Sequence, residues 1–119
     1  MLKLKAQLFC GDEIAMGPGK AALMEAIARE GSISAAARAI GMSYRRAWLL
    51  VDAMNRCWAA PLVETAAGGA KGGGARLSET GLAVLAQYRA METAIGAAAQ
   101  AETAALTALM RVDPLPPKT

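Results

Sequence analysis

The sequence predicts a mainly α-helical single domain, and three observations predict it. Of the 119 residues, 29 are alanine, the best helix former, and only four are valine. Apolar residues recur at helical spacing in stretches that open on serine and close on glycine or proline. Hydrophobic residues make up 55% of the chain and charged residues 19%, a balance that favours one packed core over disorder. A chain this short buries roughly 65% of its unfolded surface, enough for one core.

Residues 2–9 alternate: Leu2, Leu4, Ala6 and Leu8 against Lys3, Lys5 and Gln7. That period of two predicts a half-buried N-terminal strand. Gly11-Asp12-Glu13 predicts a turn and Ile14-Ala15-Met16 a short return strand. Pro18 suits the first turn of a helix, whose stripe through Leu23 and Ile27 runs to about Arg29, with Gly31 as the stop. Ser34 is expected to cap a short second helix, Ala35 to Ile40, ended by Gly41. Ser43 is expected to cap a third, about Tyr44 to Cys57, with Ala47, Leu50, Val51 and Met54 as its core face.

Pro61 ends that block. Leu62 to Thr65 reads as a strand, and Arg76-Leu77-Ser78 as its return. Between them, Gly68 to Ala75 holds five glycines and one lysine, an exposed loop. Ser78 or Thr80 is expected to cap one long helix, about 79–110, spanning roughly 45 Å at ~1.5 Å per residue. Tyr88, Met91, Ile95, Ala98, Ala105 and Leu109 mark a seam along it, interrupted by Glu102. Pro114, Pro116 and Pro117 end helical structure, so the domain is expected over 1–113 with a proline-rich tail at 114–119.

Several functions are excluded by composition. Histidine is absent, which removes His-based dyads and triads. Cys10 and Cys57 alone cannot form a zinc site, and both read as packed, inert thiols. No cofactor is expected. No apolar run approaches a membrane span, and the N-terminus lacks the apolar core of a signal peptide, so a cytoplasmic protein without a membrane partner is the expectation. Neither Gly17-Pro18-Gly19-Lys20 nor the run around Lys71 fits a phosphate-binding P-loop. Ala21 replaces Ser/Thr in the first, and Gly72 follows Lys71 in the second.

Three helices followed by a glycine-tipped hairpin make a winged helix-turn-helix. The predicted fold is that motif with an N-terminal strand, a two-stranded wing and a long C-terminal helix, to which the resemblance described below assigns dimerisation. Ala36 and Ala37 are small enough for the second and third helices to cross closely. The start of the third helix presents Ser43, Tyr44, Arg45 and Arg46. An arginine fork can bind guanine or phosphate, and hydroxyls can bind phosphate. In the wing, Lys71 and Arg76 supply charge, and the glycines allow close backbone approach. The bland reading makes Arg45-Arg46 a solvated pair, Tyr44 and Trp48 core aromatics and the glycine run a linker. Charge placement favours nucleic acid. Residues 1–60 carry eight basic and five acidic residues, and the remaining segments balance, so the net +3 lies wholly in the helix-turn-helix half.

The run from Gly31 to Gly81 resembles the DNA-binding domain of the ModE-type molybdate-responsive transcription regulators. The matching pieces are Gly31 to Ala37, Gly41-Met-Ser-Tyr-Arg-Arg-Ala-Trp48, Val51 to Asn55, Pro61 to Glu64, Gly68 to Ala75 and Leu77-Ser-Glu-Thr-Gly81. More distantly it is similar to the N-terminal domains of LysR-type regulators. The resemblance implies a homodimer on double-stranded DNA, paired through the last helix together with the N-terminal strand. Carried over from it, Ser43, Tyr44 and Arg45 would be recognition-helix contacts and Lys71 with the glycines beside it, Gly72 and Gly73 among them, wing contacts; Ser34, Arg46 and Arg76 join them as candidate DNA-binding residues. Tyr88, Met91, Ile95, Ala98 and Leu109 would form the dimer interface. Leu49 stands where relatives often carry an acidic residue. Relatives that sense molybdate carry C-terminal oxyanion-binding domains, for which no length remains here, so molybdate is not expected as a ligand. The competing readings are a protein-interaction module using residues 79–110 and, less favoured, an enzyme built on a cysteine.

Overall fold

The computed structural model describes residues 1–66 and 73–118. Its first regular element is a two-stranded antiparallel ribbon, β1 (Leu8–Cys10) and β2 (Glu13–Met16), turned at Gly11, whose φ of 58° favours glycine. The strand expected over residues 2–9 is therefore cut to three residues. Gly17 and Pro18 lead the chain into helix straight after Met16, so nothing remains to pair with residues 2–7. The alternation survives in part without the ladder. Leu4 and Ala6 are half-buried and Lys3, Lys5 and Gln7 exposed, while Leu2 and Leu8 are exposed against expectation.

Helix α1 (Pro18–Glu30) starts on its proline and stops at Gly31, which takes φ 80° and donates its N–H to the Ile27 carbonyl. Helix α2 covers Ile33–Ala39 and is capped by Ser32, not by Ser34. The Ser32 Oγ accepts the Ala35 N–H at 3.0 Å. Starting at Ile33 puts that side chain in the core at 5% exposure, which a start at Ala35 forgoes. Ile40 ends α2. Gly41 (φ 68°) follows, with Met42 N–H on the Ala37 carbonyl and Gly41 N–H on the Arg38 carbonyl. Those two bonds make a Schellman turn, the glycine stop that the sequence signalled.

Helix α3 (Tyr44–Cys57) is capped by Ser43, whose Oγ accepts the Arg46 N–H at 3.1 Å. Its buried residues are Ala47, Val51, Ala53 and Met54; Leu50, expected on that face, is half-buried. Strands β3 (Val63–Thr65) and β4 (Ala75–Leu77) pair antiparallel, with Glu64 opposite Arg76. Ser78 is no part of the strand; its Oγ accepts the Gly81 N–H and caps the next helix.

The expected helix over 79–110 is divided. Helix α4 runs Glu79–Ala98, Ala99 takes φ −96° and ψ 7°, and α5 follows at Gln100–Ala108. Gly96 weakens the turn before the break by about 1 kcal/mol relative to alanine. No residue of α5 is buried, so packing does not offset that weakness. Residues 114–118 are exposed and carry no helix or strand.

The core is built by α1 through Leu23, Met24 and Ile27, by α2 through Ile33, Ala36 and Ala37, and by α3 through Val51 and Met54. Leu62, Val63 and Leu77 from the wing base and Tyr88 from α4 close it. Each large apolar side chain there contributes about 1.5–3 kcal/mol by leaving water. The fold is thus mainly α, a winged helix-turn-helix.

Candidate nucleic-acid interface

The segment that forms α2, the turn and the start of α3 carries no carboxylate. Between Gly31 and Val51 the chain carries Arg38, Arg45 and Arg46 and neither aspartate nor glutamate. Among the described residues these three arginines have no ion-pair partner; Arg38 Nη1 instead donates to the Ser34 Oγ at 2.9 Å. Four other arginines are ion-paired. Arg29 meets Glu30, Arg56 meets Asp52 and Glu13, Arg76 meets Glu64, and Arg89 meets Glu25 and Glu92. The exposed pairs among these each stabilise by ~1 kcal/mol or less, so their main effect here is on the potential outside the protein. The face formed by α2 and α3 thus presents three arginines without an ion-pair partner among the described residues.

That face is held out by the local fold. The Schellman turn sets α3 across α2, and the small Ala36 and Ala37 lie fully buried where the two helices pack. The Ser43 cap fixes the α3 start, leaving Ser43, Tyr44, Arg45 and Arg46 exposed. Tyr44 and Trp48 are exposed too, at 54% and 42%, which removes them from the core. The Trp48 Nε1–H donates to the Tyr44 hydroxyl one turn earlier. A groove of about 360 Å³ runs beside them, lined by Ser32, Ser34, Tyr44, Trp48, Thr65, Gly73 and Gly74. Three of the residues singled out in the sequence, Ser34, Tyr44 and Gly73, thus meet at one groove between helix and wing.

Arg76 behaves differently: it lies on β4 with its Nε 3.1 Å from Glu64 Oε2, at the wing base rather than the tip. Lys71 and Gly72 lie outside the described residues. The wing itself is tied to the helices at several points. Asn55, near the end of α3, accepts the Leu62 and Val63 N–H groups at 2.9 and 3.1 Å and donates to the Val63 carbonyl at 3.0 Å. Ala75 N–H reaches the Gly31 carbonyl at 2.8 Å. Ser78 Oγ donates to the Pro61 carbonyl at 2.6 Å, and a Cβ at Gly81 would stand 2.2 Å from the Leu62 oxygen. Asn55 and Gly81 position the wing, and sequence reasoning passed over both roles. Their partners are other backbone segments, which no local periodicity signals.

The residues expected to pair subunits separate into two groups. Tyr88 is buried within the chain and its hydroxyl donates to the Ala6 carbonyl at 2.7 Å, so it has no face left for a second subunit. Met91 is half-buried against the same core. Ile95, Ala98 and Leu109 are exposed. Cys57 is half-buried, but Cys10 is exposed rather than packed, because β1 forms the outer edge of its ribbon. Burial, together with the nearby Cys10, pushes the Cys57 thiol up, away from reactivity. Among the described residues no cluster of three His, Cys, Asp or Glu side chains could hold a metal ion. None of their helices is long and apolar enough to cross a membrane.

A carboxylate-free helix-turn-helix beside a tied two-stranded wing defines the winged-helix class of nucleic-acid-binding modules. Within it, the chain belongs to the lysR family of bacterial regulatory helix-turn-helix proteins, which it matches over residues 20–82. It is 51% identical over 80 residues to the molybdenum-pterin-binding protein MopB of Rhodobacter capsulatus, covering 67% of this chain and 30% of that one. It is 49% identical over 70 residues to the molybdenum transport protein ModE of Azotobacter vinelandii, covering 59% and 26%. The DNA-binding transcriptional dual regulator ModE of Escherichia coli is 39% identical over 87 residues, covering 73% and 31%. The chain therefore spans about 30% of the length of these relatives.

Proposed function

We propose that this chain is a sequence-specific DNA-binding transcriptional regulator, acting as a homodimer on an inverted-repeat operator. The observation that carries the reading is the set of arginines on α2 and α3 without carboxylate partners, at the exposed start of a capped helix. In this reading α3 enters the major groove by its N-terminal end. Arg45 and Arg46 offer bidentate forks to guanine or phosphate, and Ser43 and Tyr44 offer hydroxyls. The segment around Lys71, Gly72 and Gly73 rests on the DNA backbone, while Arg76 acts through its link to Glu64. Ile95, Ala98 and Leu109, with the equally exposed Leu106 and Met110, form the subunit contact. Apolar exposure along α5, which buries no residue of its own, supports that assignment.

The test is selection of binding sites from a random duplex pool at near-physiological salt with non-specific competitor. An enriched inverted repeat with half-sites about 34 Å or a multiple apart is expected. Binding without enrichment, seen only at low salt, would overturn sequence reading. With ~3–4 phosphates contacted by each subunit, the log–log salt slope should lie near −5 to −7. Arg45→Ala should relax preference at one base and cost about 1–3 kcal/mol. Lys71→Ala should weaken all sequences alike.

A further inference from the structure

Trp48 presents a chemical oddity on the exposed side of α3. A tryptophan normally combines a large apolar face with one N–H donor that seeks a partner. Here the donor is already satisfied within the helix, by the Tyr44 hydroxyl four residues earlier. What Trp48 still offers outward is its ring alone, 42% exposed, at the groove shared with the wing. Tyr44 gains from the same bond. Its oxygen accepts the indole N–H, which leaves the phenolic O–H to donate away from Trp48. The pair thus presents one apolar face and one directed donor, side by side, on the helix that also exposes Arg45 and Arg46.

We propose that Trp48 is a specificity-determining residue that reads the 5-methyl group of a thymine and positions the Tyr44 hydroxyl as a donor to the adjacent DNA. This inference rests on the reading of α3 as the major-groove helix. In that groove the thymine methyl is the apolar feature a base edge presents, and it takes apolar contacts rather than hydrogen bonds. A charged or donor-bearing side chain has no use for it, whereas a ring with its N–H already bonded does. Polar neighbours sharpen the discrimination, because Arg45 and Arg46 fix the register in which the ring meets the base.

The experiment measures affinity for the selected site, with each thymine replaced in turn by deoxyuridine, which lacks only the methyl. Wild-type protein is expected to lose about fourfold at one thymine per half-site, the effect of one buried methyl, and Trp48→Ala should bind both duplexes equally. Trp48→Phe and Tyr44→Phe test the positioning. Each should weaken the specific site by a similar factor, and the double variant should cost no more than either alone. The circular dichroism of all variants should stay unchanged. Indifference of the wild type to every methyl, a selected site without thymine, or full methyl discrimination in Trp48→Ala would overturn the thymine contact. Additive losses in the phenylalanine variants would overturn the positioning. A wild type that selects no sequence would overturn this inference and the reading of α3 together, whereas selection with unchanged variants would overturn only the role of Trp48.

Discussion

Gly81 and Gly96 lie on the same helix, and their surroundings divide the molecule. Around Gly81 the α4 start is pressed onto Leu62, tied through Ser78 to Pro61 and through Asn55 to α3. Around Gly96 nothing stands within 4 Å of where a Cβ would be. The first region is over-determined by tertiary contacts, and the second only borders a groove beside Leu2 and Leu4. The same residue type therefore has opposite meanings fifteen positions apart. At the wing junction glycine permits contact, and near the α4 end it only weakens a helix. The half that would face DNA is tied by contacts between segments, and the half proposed to pair subunits leaves Ile95, Leu106, Leu109 and Met110 exposed.

The largest effect should come from the tight end. Gly81→Ala drives a methyl to 2.2 Å from a backbone oxygen that cannot swing aside. A loss of about 3 kcal/mol or more is expected, read as a lower urea midpoint. A shift under half that size would mean that α4 can slide along Leu62, and the contrast between the two glycines would weaken. Asn55→Ala should follow at about 2–3 kcal/mol, because it strips partners from the Leu62 and Val63 N–H groups while leaving the helix otherwise intact. It should also lower affinity for DNA beyond its effect on folding, since the wing loses its anchor to α3.

At the loose end the sign reverses. Gly96→Ala fits without contact and improves helix propensity, so it should stabilise by about 0.5–1 kcal/mol. It should also raise the helical signal if the break at Ala99 heals. Destabilisation instead would mean that Gly96 meets a second subunit closely in solution, visible as weaker self-association in sedimentation.

The same division explains what could be read in the sequence. Signals that act within four residues were legible: Pro18 and Gly31 bounding α1, Gly41 closing α2, Ser43 and Ser78 as caps, and Arg45 and Arg46 at an exposed helix start. Ser32 and Ser34 are equivalent locally, and only the burial of Ile33 chooses between them. The N-terminal alternation was real, but a strand needs a partner, and the short return strand ending at Met16, itself legible, leaves residues 2–7 without one. Trp48 and Tyr44 sit one turn apart on a helix whose other face is core. Their exposure depends on where the wing lies, and the wing is placed by Asn55 and Gly81 through contacts distant in sequence.

The smallest predicted effect tests the tight region by charge. Lys20 sits in the first turn of α1 at 9% exposure; burial pulls its ammonium below the ordinary 10.5, Glu13 and Cys57 pull it back, and Arg46 adds to the fall. The unfolded chain then holds its proton to higher pH than the folded one. The stabilising difference is complete above 10.5 and is lost as the pH falls through the lower, folded value. Cys57 and Tyr88 are both shifted upward by burial, so they titrate nearby with the opposite sign. The quantity to measure is therefore the stability of wild type minus that of Lys20→Met, by urea unfolding across this range. That difference should rise with pH towards 10.5. A flat difference would mean that Lys20 reaches solvent at no cost, and that the α1 start belongs with the loosely held parts of the chain.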